Sequence, residues 1–173
     1  VETIRIPEER VGELIGKKGK NKETIEKAFD VEITVKGDGE IIIEGDGADA
    51  FFAKDVVEAV GRGFSIEDAA KLFKSEYLFH SIDLRDQFST DKARKRMKGR
   101  VIGEKGKIKT EIEESTDSKI MIYGHTVSII APEEMMEFAK EAVFKILDGA
   151  PHTTVKSYLR DVRKRKLAIK LKG

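Results

Sequence analysis

The chain has 173 residues, with 33 Lys and Arg, 32 Asp and Glu, and no Cys. This length allows one or two domains, and the absence of cysteine excludes a disulfide framework, a thiolate metal site and a cysteine nucleophile. The sequence has no 18-residue apolar run and no signal-peptide core at its start, so we expect a soluble cytoplasmic protein.

Charge is distributed unevenly along the chain. Between Lys156 and Lys172 there are eight Lys and Arg and one acid, Asp161. Between Lys92 and Lys109 the basic residues outnumber the single acid several-fold, and most of the remaining acids lie earlier in the chain. We therefore expect a dipolar molecule with a basic second half, although the net charge is only +1.

The first part of the chain is predicted to contain three strands and three helices. Residues 31–35 alternate between polar and apolar side chains, which is typical of a strand, and residues 49–60 are apolar at helical spacing. Pro7 ends the first strand, and Gly37-Asp38-Gly39 predicts a hairpin. The predicted elements are a strand at 2–6, a helix at 8–15, a turn at 16–19, a helix at 20–29, strands at 31–35 and 40–44, and a helix at 49–60.

A short linker helix follows, at residues 64–73. Its sequence is F-S-I-E-D-A-A-K-L-F, in which Ser65 occupies the N-cap position and Asp68 the third helical position of a capping box. The segment has no counterpart inside the element series that precedes it.

The second part of the chain repeats the same series. We expect Ser89 or Thr90 to cap the first helix of this part, and Thr153 or Thr154 to begin a last, basic helix. The predicted elements are a strand at 77–84, a helix ending at 102, a turn at 103–106, a helix at 107–115, strands at 119–123 and 126–131, and a helix at 133–148.

The two series are related residue by residue. Leu14-Ile15-Gly16-Lys17-Lys18-Gly19-Lys20 corresponds to Val101-Ile102-Gly103-Glu104-Lys105-Gly106-Lys107 at an offset of 87 residues. The same offset, without a gap, aligns further positions, and a fixed period indicates a tandem duplication. The aligned pairs include Ile25 with Ile112, Asp30 with Asp117, Ile33 with Ile120, Ile42-Ile43 with Ile129-Ile130, Phe51 with Phe138, and Val56 with Val143.

Both copies contain two glycines that bracket two polar residues between helical segments. Glycine adopts positive φ and has no Cβ to hold a ligand away from the backbone. The turn leads into a helix N-terminus, where amide groups and the helix dipole attract anions. With lysines beside it, this GxxG loop is suited to binding a phosphate backbone.

The motif V-I-G-x-x-G-x-x-x-x-x-I, from Val101 to Ile112, resembles a type I KH domain. The tandem arrangement, the G-F-S-I-E-D-A linker and the basic tail together resemble the archaeal branch of the Partner of Nob One (Dim2-like) ribosome-assembly factors. This resemblance implies an α+β protein with two βααββα modules, each a three-stranded antiparallel sheet with helices on one face. The expected parts are a first module at 1–62, a linker helix at 63–75, a second module at 76–149 and a basic C-terminal helix at 150–173.

The resemblance also implies a function. Family members bind small-subunit ribosomal RNA near its 3′ end during maturation. Their partners include the endonuclease that trims that end and the alpha subunit of initiation factor two. We therefore expect a non-catalytic, single-stranded RNA-binding assembly factor that needs no cofactor and no metal.

KH modules clamp about four nucleotides between the GxxG loop and a groove lined by the following helix and the second strand. Most isoleucines of the groove are expected to be core, with one or two per module touching bases, and the loop lysines could also be solvated helix starts. We expect the second module, with its basic first helix, to be the primary site, provided that Glu104 points away from the phosphate. The expected RNA-binding residues are Ile15, Gly16, Lys17, Lys18, Gly19, Lys20 and Ile25 in the first module, with Ile33 and Val35 as further groove candidates, and Arg94, Arg100, Ile102, Gly103, Glu104, Lys105, Gly106, Lys107, Ile112 and Ile120 in the second, with Ile122 as a further candidate.

The basic tail has three possible roles: RNA contact through Arg163 and Lys164, a solvated helix face, or a contact with a partner protein. The rival functions are a KH adaptor or RNA-processing subunit that acts mainly through protein contacts, and an enzyme. The lysine-rich GxxG differs from the G-x-x-x-x-G-K-[ST] loop that binds nucleotide triphosphates, which disfavours the enzyme.

Overall fold

The computed structural model describes residues 1–172 and contains two compact units, a first unit at Val1–Phe79 and a second unit that begins at His80. The chain forms two three-stranded antiparallel sheets, and the predicted α+β class with the βααββα order is confirmed.

The first sheet has the strand order β1-β3-β2, so the last strand in sequence lies in the middle. Ile41 and Ile43 of the central strand are fully buried, and α3, the longest helix of the first unit, packs on β1 and β3. Single-turn 3-10 segments flank α1 and follow α4. The elements are β1 (Glu2–Arg5), α1 (Val11–Ile15), α2 (Lys20–Phe29), β2 (Glu32–Val35), β3 (Glu40–Glu44), α3 (Gly47–Gly61) and α4 (Ile66–Ala69).

The second sheet has the equivalent order, β4-β6-β5. Its core is built from α5, α6, α7 and the central strand, and the C-terminal helix adds Val155, Leu159 and Val162 as buried residues. The elements are β4 (Tyr77–Asp83), α5 (Asp91–Ile102), α6 (Lys107–Thr116), β5 (Lys119–Tyr123), β6 (Thr126–Pro132), α7 (Glu133–Leu147) and α8 (His152–Lys172).

Side-chain caps explain where several helices begin. Thr90 Oγ1 accepts a hydrogen bond from the Ala93 amide at 3.1 Å, so Thr90 rather than Ser89 caps α5. Ser65 Oγ accepts from the Asp68 amide, as the sequence predicts. Asp46 accepts from the amide of Gly47, and α3 therefore starts two residues earlier than expected. The linker helix is shorter than predicted, because α4 becomes a 3-10 segment at Ala70–Phe73.

The gap-free alignment of the two modules is wrong beyond the hairpin. Ile33 lies opposite Ile43 in the first sheet, whereas the equivalent Ile120 lies opposite Ile129 in the second. The second hairpin is thus one residue shorter, and the offset falls from 87 to 86. The 15-residue helices α3 and α7 obey this second offset along their whole length. The structural pairs are therefore Ile43 with Ile129, Phe52 with Phe138, and Val57 with Val143.

The GxxG loops have matching backbones. Gly16 and Gly103 have φ of 73° and 76° with ψ of 175°, a conformation that is essentially restricted to glycine. A Cβ would lie 2.5 Å from Asn21 Cγ at Gly16 and 2.6 Å from Ile108 Cγ2 at Gly103. The second glycine of each loop, Gly19 or Gly106, is left-handed, but a Cβ added there would have no heavy atom within 4 Å.

These differences predict an order of stability losses. Gly16→Ala and Gly103→Ala should each lower the free energy of unfolding by about 2 kcal/mol or more, since backbone strain costs about 1–3 kcal/mol and the methyl group also collides with its neighbour. Gly19→Ala and Gly106→Ala should cost about 1–2 kcal/mol, from the left-handed backbone alone. Urea denaturation followed by circular dichroism measures the order.

Gly12→Ala and Gly99→Ala are matched controls, because both glycines lie in helices with open space around them. They should stabilise the protein by up to about 1 kcal/mol. Equal losses at the first and second loop glycines would contradict the account of the loop.

Candidate nucleic-acid interface

The loop backbone is accessible in both modules. Lys18 and Lys105, the third residues of the two loops, share a left-handed conformation with φ of 56° and ψ of 28° and 25°. The two middle residues of each loop are exposed. Since nothing covers the side of the second glycine where a side chain would stand, an anion can approach the main chain there.

Cations surround each loop, but in different numbers. The first loop has Lys17 and Lys18 in the middle and Lys20 at the first position of α2, all of them exposed. The second has Lys105 and Lys107, with Glu104 also exposed to solvent. An exposed carboxylate at Glu104 is free to turn away from a bound phosphate.

Equivalent apolar residues form a partly exposed groove beside each loop. Ile102, at the end of α5, is 37% exposed, and its counterpart Ile15 is half-buried. Val35 and Ile122 are half-buried at the end of the second strand of each module. These four positions leave apolar surface for a base.

Other isoleucines expected in the groove lie beneath it. Ile25 and Ile112 are fully buried, and Ile33 and Ile120 are only 2% exposed. Because the alternation of β2 and β5 directs the two strand side chains into the core, they support the groove and offer almost no surface to a base. These four isoleucines are therefore core residues, as expected for most isoleucines of the groove. Ile25, Ile112 and Ile120 expose too little surface to contact a base directly.

A glutamate that was not predicted from the sequence joins the two walls of each groove. Glu26 Oε2 accepts from the amide of Ile33 at 2.9 Å and from Lys22 Nζ at 3.2 Å, linking α2 to β2. Glu113 accepts from the amide of Ile120 at 2.9 Å and pairs with Lys109. Both Glu and Lys recur at the offset of 87 residues, which is the signal that could have revealed them.

The predicted arginines already have partners within the protein. Arg94 donates to the carbonyls of Phe88 and Ser89 and pairs with Asp91, so it holds the segment before α5 in place. Arg163 Nε donates to Ser115 Oγ at 2.8 Å, whereas the neighbouring Lys164 is exposed.

Arg100 closes the end of α7. Its guanidinium donates to the carbonyl of Ile146, in the last turn of α7, and to the carbonyl of Ala150, just after the helix, both at 2.7 Å. The Arg100 carbonyl in turn lies 2.9 Å from His152 Nε2. This side chain is therefore used in packing α5 against the α7–α8 connection.

A basic cavity of about 500 Å³ lies between α5 and the β5–β6 hairpin. Lys98 Nζ donates to the Gly124 carbonyl, and His125 Nδ1 lies 3.2 Å from Asp83 Oδ1. The Arg85 guanidinium, by hydrogen bonding to Asp83, holds the pKa of that carboxyl well below its ordinary value. The cavity is lined by Arg85, Asp91, Arg94, Lys95, Lys98, Gly124 and His125.

The two units carry net charges of opposite sign. Residues 1–79 contain 12 Lys and Arg against 18 Asp and Glu, a net charge of −6. Residues 80–173 contain 21 against 14, a net charge of +7. The second unit therefore has the electrostatic character of a nucleic-acid-binding surface.

Comparison with known families agrees with this geometry. Residues 1–59 match the family model described as KH domain, and residues 78–164 match the one described as eukaryotic type KH-domain (KH-domain type I). The chain belongs to the Partner of Nob One, or Dim2-like, family of tandem KH proteins.

Individual relatives cover most of the chain. A KH domain-containing protein of Methanocaldococcus jannaschii is 42% identical over 170 residues, covering 95% of this chain and 75% of the relative. The matched chain in the crystal structure of the a/eIF2alpha–aDim2p–rRNA complex from Pyrococcus horikoshii is 38% identical, with a TM-score of 0.87 over 95% of this chain and 94% of that chain.

A more distant relative is the pre-rRNA-processing protein PNO1 of Chaetomium thermophilum, which is 33% identical over 114 residues. That match covers 64% of this chain and 44% of the fungal protein, so this chain spans less than half of the fungal relative's length. Within residues 1–172 no helix is long and apolar enough to cross a membrane.

The contacts of Arg100 predict a structural effect of its removal. Arg100→Met should lower the free energy of unfolding by about 1–3 kcal/mol, because the carbonyls of Ile146 and Ala150 lose a charged donor. Lys95→Met, on the exposed side of the same helix, should leave stability within about 0.5 kcal/mol. Urea denaturation of both variants tests this, and equal stabilities would contradict the packing role.

Proposed function

We propose that this protein is a non-catalytic assembly factor of the small ribosomal subunit that binds single-stranded rRNA near its 3′ end in the cytoplasm. The observation that carries the proposal is the duplicated, accessible GxxG loop, with unobstructed backbone beside its second glycine and lysines around it. The rRNA in the complex that contains the matched aDim2p chain and the name of the fungal relative support the same substrate.

We propose two kinds of RNA contact in each module. The phosphates lie against Gly16–Lys20 in the first module and Gly103–Lys107 in the second, where exposed lysines flank the uncovered backbone of the loop. The bases lie against Ile15 and Val35, or Ile102 and Ile122, which are the partly exposed apolar residues of the two grooves.

The proposed parts of the chain remain the first module at 1–62, the linker at 63–75, the second module at 76–149 and the basic helix at 150–173. The second module is the primary RNA site, because the second unit has a net charge of +7 and the first −6. An RNA strand carries one negative charge per nucleotide, so its approach to the second unit is favoured at long range.

Protein partners complete the proposed role. The matched Pyrococcus complex contains a/eIF2alpha beside aDim2p, which supports the alpha subunit of initiation factor two as a partner. The family resemblance supports the endonuclease of rRNA 3′-end maturation as another. The rival function, a KH adaptor that works without RNA, accounts for the glycines that folding requires, but gives no reason for lysines around the unobstructed backbone of both loops.

Charge reversal in the loops tests which module binds RNA. Labelled single-stranded RNA from the 3′ end of small-subunit rRNA is titrated into the wild type, Lys17→Asp/Lys18→Asp and Glu104→Asp/Lys105→Asp. We expect at least a tenfold loss, about 1.4 kcal/mol, in the second double variant and a smaller loss in the first. Aspartate tolerates the left-handed backbone at positions 18 and 105, so both variants should fold.

Two variants with the same change of charge serve as controls. Lys27→Asp matches the second loop variant and Lys27→Asp/Lys36→Asp matches the first, and both lysines lie outside the loops in exposed ion pairs. These controls should bind within about threefold of wild type. Unchanged affinity in both loop variants would remove the GxxG loops from the proposed site.

The salt dependence of RNA affinity measures how many RNA phosphates the protein neutralises. Each phosphate neutralised on a single strand contributes about −0.7 to the log–log slope of affinity against salt. For about four clamped nucleotides, we expect a slope of roughly −2 to −3, reduced by about 0.7 in Lys105→Ala. A slope near zero would show that the RNA phosphates are not contacted.

A further inference from the structure

The first unit contains an apolar cavity that the RNA site does not use. Its volume is about 160 Å³, comparable to cavities that hold a benzene-sized group. Phe52, at its edge, is 54% exposed, and Leu78 is 40% exposed. Large exposed aromatic and aliphatic side chains around a cavity are typical of an interaction surface. The lining includes Phe29, Phe52, Asp55, Phe73, Lys74 and Leu78.

In the second unit, the corresponding face of α6 and α7 is covered by α8. The Arg165 guanidinium lies 5.9 Å from the ring centroid of Phe138, within the range of a cation–π contact. Lys166 Nζ donates to the carbonyl of Glu114 and pairs with Asp117 at 3.2 Å. The buried Val155, Leu159 and Val162 form the apolar side of this basic helix.

The residues that receive α8 have counterparts in the first unit. With the offset of 86 that applies to α3 and α7, Phe138 corresponds to Phe52 and Glu141 to Asp55. With the offset of 87 that applies to α2 and α6, Asp117 corresponds to Asp30. Asp30 and Asp117 also share the same left-handed φ of 53° at the end of their helices. The first unit thus has the aromatic ring and the helix-end carboxylate that α8 uses in the second unit.

The covering segment of the first unit is much shorter. The chain after α3 packs on α3 and α2 through α4 and the 3-10 segment Ala70–Phe73, where the ring of Phe73 meets Phe29 edge-on at 5.6 Å. It ends there, because Lys74 is extended. By comparison, α8 runs for 21 residues. The cavity lies where the short segment stops.

Acidic groups outnumber the two lysines, Lys54 and Lys74, around this surface and favour a basic occupant. The first unit carries a net charge of −6, and Asp30 is exposed. Burial, together with the neighbouring Glu58, raises the pKa of Asp55 to about 6, so the half-buried carboxylate lacks sufficient compensation from the nearby Lys54. A cation supplied from outside would stabilise its ionised form.

We propose that the surface formed by Asp30, Phe52, Asp55 and the adjoining cavity docks a basic amphipathic helix of a partner protein, in the manner of α8 on the second unit. An apolar side chain of the partner fills the cavity, an arginine stacks on Phe52, and a lysine pairs with Asp30. The proposal is independent of RNA binding by the GxxG loops.

A peptide with the sequence of residues 152–172, labelled with a fluorophore, is a suitable probe because it carries the α8 pattern. Titrated with the full chain, it should bind saturably, with a dissociation constant in the micromolar range. Phe52→Ala should weaken binding about tenfold, as expected for loss of a partly desolvated cation–π and apolar contact. Asp30→Asn, which retains the left-handed backbone, should weaken it about two- to fivefold.

Phe51→Ala is the matched control. Phe51 is 52% exposed on the same helix, contacts Phe52 and Lys54, and does not line the cavity. It should leave peptide affinity within about twofold. A peptide with alanine at the position of Arg165 should bind the wild-type protein more weakly. Its affinity should fall little further in Phe52→Ala, because the peptide arginine and the Phe52 ring act through one shared contact.

Four outcomes would overturn the proposal. The first is absence of saturable binding, and the second is equal weakening by Phe51→Ala and Phe52→Ala. The third is a nuclear magnetic resonance result in which the peptide shifts only amides of the second unit. The peptide would then be replacing α8 there. The fourth is a change in RNA affinity for Phe52→Ala, which would assign the surface to RNA.

Sedimentation of the full chain tests whether the occupant is α8 of a second copy of the chain instead of a separate partner protein. A concentration-dependent dimer that Phe52→Ala abolishes would assign the surface to α8 of a second copy, and would contradict a separate partner protein. A monomer at all concentrations, together with peptide binding that depends on Phe52, supports the proposal. The peptide and sedimentation results do not depend on RNA binding, so they can be interpreted whether or not the loop variants lose RNA affinity.

Discussion

The positive φ angles of the GxxG loop are the constraint on which each module depends. Three of its four residues have this backbone, including lysines at positions 18 and 105. The loop lets one helix end and the next begin within four residues, and it leaves the main chain uncovered at the second glycine. The first glycine is fixed by packing against Asn21 or Ile108, whereas the second is free for a ligand. The first glycine of each loop therefore serves folding, and we propose that the second serves recognition of the RNA backbone.

Much of the fold could be predicted from the sequence, because local hydrophobic periodicity indicates each helix and strand, and the repeat shows that the same element order occurs twice. The predicted bounds of α2 and β3 match those of the structure. The alignment was wrong beyond the hairpin because α3 has apolar doublets, Phe51-Phe52 and Val56-Val57, so a shift of one residue still pairs apolar with apolar. The hydrogen-bonding partners of Arg100 lie 46 and 50 residues away, and no local pattern reveals them.

Duplication has given two similar modules different surroundings. The glutamate that links helix to strand recurs in both, at Glu26 and Glu113, so both grooves have the same internal support. The charges differ in sign, and only the second module carries a long basic helix over its α6–α7 face. If the basic module binds RNA and the acidic module docks a partner at its uncovered apolar cavity, as we propose, the protein connects an rRNA strand to a protein.

The most direct test of the central claim is to follow backbone amide resonances while unlabelled single-stranded rRNA is added. We expect the amides of Gly106 and Lys107 to shift first, followed by those of Gly19 and Lys20, because these residues lie at the uncovered side of the loops. Shifts confined to α8, with both loops unaffected, would contradict it and would assign RNA binding to the basic tail.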